Sequence, residues 1–173
     1  MAGEARAAAP DLAWLAALED EPYRFGFYVV LRRLECRHRD RPRLGTAPRP
    51  ADSPVRLGQE PSLDFPPATL ASFSAGKGEG PHRLLVRFLG LFGPNGPLPL
   101  HLTEYARDRL RNADDRTFAR FADVFHDRVL ALFFRAWAAS QPTVSLDRAD
   151  EDRFGAYLAS LFGLGMPQLR ERD

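Results

Sequence analysis

Four side chains in this sequence have the types and spacing of a metal or acid–base site. His101 and Glu104 stand three residues apart in a helical segment, so they share a face, and Asp123 and His126 do the same on the next helix. A carboxylate-x-x-His pair from each of two helices is one ingredient of a di-iron carboxylate centre. Here the first pair runs in reverse order, and two further inward carboxylates are needed. The plainer reading is a helix-start His101 and a boundary His126, each hydrogen-bonded. A basic set lies beside them. Arg128 and Arg135 are seven apart and stack along one flank of the second helix, with Glu104 and Asp108 of the neighbouring helix in reach as partners. Flanking arginines of this kind usually snorkel or pair, with little net effect at a surface. Other chemistry finds less support. Cys36 is the lone cysteine, which excludes an internal disulfide and a cysteine metal cluster. None of the serines sits in a G-x-S-x-G turn. The Gly76-x-Gly78-x-Gly80 string is followed by neither a helix pattern nor a Lys-Ser/Thr pair, so it is a poor phosphate loop.

The elements that must hold these residues follow from periodicity. Residues 10–19 read as a short helix with Leu12, Leu15 and Leu18 along one side. Pro22 opens a second, residues 22–36, whose stripe is Tyr23, Phe27, Val30, Leu31 and Leu34. Residues 37–54 carry four prolines and five arginines and read as an extended loop. It is either a solvated connection or an Arg-rich arm; as an arm, residues 37–49 would make the chain a nucleic-acid-binding module. Val55-Arg56-Leu57, with Leu63 and Phe65 continuing the alternation, reads as a half-buried strand. Residues 66–72 read as a helical turn, 74–82 as a flexible loop, and 83–92 as a strand covered on both faces.

From residue 101 the pattern is helical. A first helix, 101–111, ends at Asn112-Ala113-Asp114-Asp115, which supplies a cap for the longest helix, 116–139. Phe118, Phe121, Ala122, Phe125, Val129, Leu132, Phe133 and Ala136 fall on one side of that helix and are the expected core stripe. Leu130 and Phe134 lie roughly opposite, so its second half is apolar all round and must be covered on all sides. That cover is a partner or more of the same protein. Asp147 is expected to cap a last helix over 148–162, which Gly163 stops. The fold class is therefore α+β, predominantly α-helical, with a small sheet packed on several helices.

Composition limits the remaining choices. The chain has 173 residues, 45% of them hydrophobic, and a formal net charge of +1, so there is no global electrostatic case for nucleic acid or an anionic membrane. No window approaches the roughly 18 apolar residues of a membrane span, and the N-terminus lacks the basic start and unbroken apolar run of a signal peptide. Residues 1–9 read as a mobile tail.

The segment Gly93-Pro94-Asn95-Gly96-Pro97-Leu98-Pro99 holds three prolines and two glycines in seven residues. Proline fixes φ and glycine supplies positive φ, so one backbone path is specified. With no usual nucleophile and no lysine, a rigid and partly apolar bend suits docking better than catalysis. It also carries a resemblance. FLGLFGPNGPLPLHLTEYARDR (88–109), then D-x-T-F-x-R-F-x-D-x-F-H-D-R (115–128) and LFFRAW (132–137), resemble the signature of the TssG family, also called ImpH or VasB. FGFYVVLRRLE, the 41–67 segment and YLASLFGLGMPQLRER are similar to successive blocks of that family, so the resemblance spans about residues 20–172.

The resemblance implies a non-enzymatic subunit of the type VI secretion baseplate, without cofactor, in a wedge with two copies of TssF and one of TssE, contacting TssK. It implies a cytoplasmic location at the baseplate docked on the inner membrane. The residues matching the family pattern are Gly90, Leu91, Gly93, Pro94, Gly96, Pro97, Leu98, Pro99, Thr103, Glu104, Tyr105, Arg128, Arg135 and Trp137. The glycines and prolines are expected to shape the loop, and Glu104, Arg128 and Arg135 to clamp the two helices together. Members of the family are usually about twice this length, so a TssG-like N-terminal half or short form is expected over residues 21–165. A tail and short helix are expected at 1–20 and a C-terminal tail at 166–173.

Overall fold

A computed structural model describes residues 12–76, 78, 80–148 and 152–166. The fold is α+β and mostly helical. Helix α1 covers residues 12–20, and a 3-10 turn, Pro22–Arg24, leads into α2, Phe27–Arg37. Three strands follow, β1 Val55–Gln59, β2 Leu70–Ser74 and β3 His82–Val86. The chain then runs through α3 (Leu100–Asn112), α4 (Thr117–Ala139), the short α5 (Pro142–Leu146) and α6 (Arg153–Leu161). The tail expected at residues 1–9, and residues 167–173 of the C-terminal one, lie outside the described residues.

The sheet has the order β1-β3-β2. β1 runs parallel to β3, with Val55 opposite His82 and Gln59 opposite Val86, and β2 runs antiparallel to β3. Its inner residues Val55, Leu57, Leu70, Phe73, Leu84 and Val86 meet Leu15 and Leu18 of α1, Phe27, Val30, Leu31 and Leu34 of α2, and Leu130 and Phe134 of α4. Each such buried side chain contributes about 1.5–3 kcal/mol. A smaller cluster of Phe92, Ala106 and Ala122 joins the residues after β3 to α3 and α4.

Several sequence expectations are corrected here. Residues 66–72 are not a helical turn: Leu70–Ser74 is a strand, hidden in the sequence by its Ala and Ser content. The strand expected over 83–92 stops at Val86, and Leu63 and Phe65 lie outside β1. Tyr23 is exposed rather than part of the α2 stripe. The last helix starts at Arg153, where Asp152 Oδ1 accepts the Gly155 N–H at 3.0 Å. Asp147 does not cap it; it pairs with Arg32 of α2 at 2.6 Å, and that guanidinium holds its carboxyl below the usual range. The Arg-rich segment after α2 is folded onto the body. Leu44 is buried, its N–H donates to Glu35 Oε1 at 2.8 Å, and Arg43 lies 3.5 Å from Glu35 Oε2.

The largest correction concerns α4. Leu130 and Phe134, set opposite the expected stripe, are the buried core residues at 0% exposure. Of the expected stripe, Phe121 is 63%, Phe125 52% and Leu132 46% exposed, and only Ala122 is fully enclosed. The helix is turned about its axis relative to its apolar pattern.

Candidate docking site

The cause of that rotation is the edge of the sheet. β1 is an edge strand, and its outward N–H groups need acceptors. No strand supplies them. Asp127 Oδ1 accepts the Leu57 N–H at 2.7 Å and Asp123 Oδ1 accepts the Gln59 N–H at 3.1 Å. Four residues of helix rise about 6 Å and two residues of strand about 6.6 Å, so an i,i+4 carboxylate pair matches alternate N–H groups of a strand. Helix α4 stands where a fourth strand would be. Close approach requires Gly58, because a Cβ there would lie 2.5 Å from Asp123 Oδ1.

The same polar face anchors the bend after β3. His126 Nε2 accepts the Leu91 N–H at 3.0 Å, so its hydrogen sits on Nδ1 and donates to Asp123 Oδ1 at 3.1 Å. Asp123 Oδ2 takes Arg83. The buried Gln59 amide bonds Phe92 twice, Oε1 accepting from its N–H and Nε2 donating to its carbonyl, both at 2.8 Å. Thr103, fully buried on α3, accepts the Gly93 N–H at 3.0 Å. Gly90 at φ +155° and Gly93 at φ +99° take backbone conformations that favour glycine, and a Cβ on Gly90 would overlap Gln59 Oε1. This explains why the chain leaves the sheet at Val86: the N–H groups of Leu91, Phe92 and Gly93 are satisfied by side chains, not by a strand. Burial pushes the Asp127 carboxyl up, against the Leu57 N–H and Arg56, which pull it down.

The bend is therefore held from inside at residues 91–93 and presents its tip outward. Pro94, Pro97 and Pro99 are exposed and Gly96 is half-buried. Leu98 packs on the Phe92 cluster, whereas Leu100 is exposed. Of the remaining motif residues, Glu104 and Tyr105 are exposed on α3, and Trp137 stacks on Tyr28 with ring centroids 4.6 Å apart. The expected charged clamp is not formed. Arg128 donates to the Gly45 carbonyl at 3.0 Å, Arg135 lies beside the same Gly45, and neither meets Glu104.

The alternative metal site is not assembled either. His101 and Glu104 are exposed on α3, while Asp123 and His126 are buried with their lone pairs committed to backbone N–H groups and Arg83. Among the described residues no three His, Cys, Asp or Glu side chains are grouped to hold a metal ion. Thr103, one of the motif residues, carries part of the anchoring; Gln59 and Gly58 carry the rest and are missed by motif reasoning, the signal available being the i,i+4 carboxylate pair on a helix beside a strand-length apolar alternation.

What is left over is surface. Phe121, Val124, Phe125, Val129 and Leu132 form an exposed apolar ridge along the outer side of α4, and Leu158 and Leu161 of α6 are exposed as well. Patches of this kind on a folded domain mark interaction sites. No helix among the described residues is long and apolar enough to cross a membrane. Searches of curated proteins and of solved structures give no match to this chain. A family model described as Type VI secretion, TssG, matches residues 21–173. The chain belongs to the TssG family of type VI secretion components.

Proposed function

We propose that this chain is a structural subunit of the type VI secretion baseplate, not an enzyme, and that it acts by being enclosed between neighbouring subunits. The observation that carries the reading is the outer ridge of α4: large apolar side chains, at helical spacing, stand in water on a helix whose other face is fully engaged. A helix that binds another along a stripe of this kind buries its i, i+4 and i+7 side chains together. The partners are TssF, in two copies, TssE, and TssK as the link to the membrane complex. The location is the cytoplasmic side of the inner membrane, where the baseplate docks. The bend at 93–99 is a second contact, presented rigidly by Gln59, His126 and Thr103.

Co-expression with TssF tests this. The chain is expected to co-purify with TssF, and Phe125→Asp combined with Leu132→Asp is expected to abolish the complex while leaving helix content and thermal unfolding unchanged. Survival of the complex would remove the ridge as the docking surface. For the bend, Leu100→Asp is the informative change. Leu98→Asp would also disturb the Phe92 cluster, so its effect on binding would not separate docking from folding.

A further inference from the structure

A cleft of about 790 Å³ lies between the C-terminal end of α4, α5 and α6. Its accessible apolar lining includes the exposed rings of Phe154 and Tyr157. Among the described residues its charged lining is three arginines, Arg43, Arg135 and Arg153, against one carboxylate, Glu35. Glu35 is already occupied by the Leu44 N–H and by Arg43. Arg153 donates to the neutral Tyr157 hydroxyl at 3.3 Å. Arg135 is half-buried, and among the described residues it makes no ion pair or hydrogen bond. Its stem is pressed against Gly45, where a Cβ would lie 3.0 Å from Arg135 Cδ, so it is positioned without a counter-charge. Among the described residues, neither of these two guanidinium groups is paired with a carboxylate, and both reach a concave, partly apolar site.

We propose that this cleft binds an acidic peptide segment of a partner protein, one apolar side chain seated against Phe154 and Tyr157 and carboxylates taken by Arg135 and Arg153. A guanidinium presents a planar fork that matches a carboxylate in two hydrogen bonds, and the bond strengthens where water is partly excluded. The volume is that of a site for a ligand of several side chains, well beyond a single small anion. The apolar lining has no use for an inorganic ion.

Random-peptide display on the whole chain, followed by fluorescence anisotropy with a labelled peptide from the selection, decides the matter. Selected peptides are expected to carry Asp or Glu within a few residues of an aromatic or aliphatic side chain. Their affinity should weaken about tenfold or more in the Arg135→Ala, Arg153→Ala double variant, as expected when charge-assisted pairs are removed. It should be unchanged by Arg128→Ala, on the same helix outside the cleft. Circular dichroism of the double variant confirms that it is folded. No enrichment, enrichment without acidic bias, unchanged affinity in the double variant, or competition by inorganic phosphate or acetate as effective as by the peptide would each overturn the proposal.

Discussion

The two faces of α4 invert the usual relation between polarity and burial. The inner face carries Asp123, His126 and Asp127 in its first half, buried or half-buried, and the outer face carries Phe121, Val124 and Phe125, exposed. Burying a charged group is costly unless it is paired and hydrogen-bonded, and here each carboxylate finds both a backbone N–H and an arginine. The lesson is that an amphipathic helix does not by itself tell which side faces the core. Where a strand edge needs acceptors, the polar side goes in, and the apolar side is left for something else.

The contrast can be broken first at the inner face. Asp123→Ala would leave the Gln59 N–H, the His126 Nδ1–H and the Arg83 guanidinium without their acceptor, and unfolding experiments in urea should show a loss of about 3–5 kcal/mol. Gly58→Ala tests the close approach of helix to strand. A forced displacement of α4 should cost about 1–3 kcal/mol, as overpacking does. If both variants are as stable as the parent, α4 does not stand in for a strand.

A smaller effect is expected where α2 meets β3. His38 and His82 face each other with Nε2 atoms 3.4 Å apart, and His82 Nδ1 accepts the Gly76 N–H at 3.1 Å. Burial, then the charge of His38 and of Arg37 and Arg41 nearby, holds His82 below the usual histidine range; burial and Arg41 do the same for His38. Asp40 acts in the opposite sense on His38. Both rings are favoured neutral in the fold, so the unfolded chain takes up protons first. Their contribution to stability is complete above about pH 6.5 and is lost as the pH falls through the lowered folded values. Thermal unfolding followed from pH 7 downward should show that fall, and His38→Gln with His82→Gln should flatten it. A curve unchanged by the double variant would show that the pair does not couple to folding.

The smallest effect on stability belongs to the outer face. Phe125→Asp with Leu132→Asp should change unfolding free energy by no more than about 0.5 kcal/mol, as exposed substitutions do. A loss as large as that of Asp123→Ala would mean the ridge is part of the core after all.

Much of this was legible in the sequence and some was not. Helices α3 and α4 and the Phe27, Val30, Leu31 and Leu34 stripe of α2 follow from 3.6-residue periodicity, and Val55-Arg56-Leu57 from strict alternation, whereas the short α5 was not expected. β2 was hidden because Ala71, Ser72 and Ser74 lack the branched side chains that mark a strand. The burial of α4 was misread because periodicity reports that two faces differ, not which one a neighbour demands; that neighbour, β1, is more than fifty residues away in sequence. The bend at 93–99 was legible as rigid from its glycines and prolines. Its anchors were not, since Gln59, Thr103 and His126 come from three separate elements.

The central claim is that the outer ridge of α4 is covered by another protein in the assembled machine. A photo-cross-linking amino acid placed at position 125 or 132, in cells producing the whole secretion system, tests it most directly. The account expects specific adducts with TssF at both positions and none at Phe65, which is more exposed than either. Adducts at Phe65 alone, or none at 125 and 132 while the machine assembles, would contradict it.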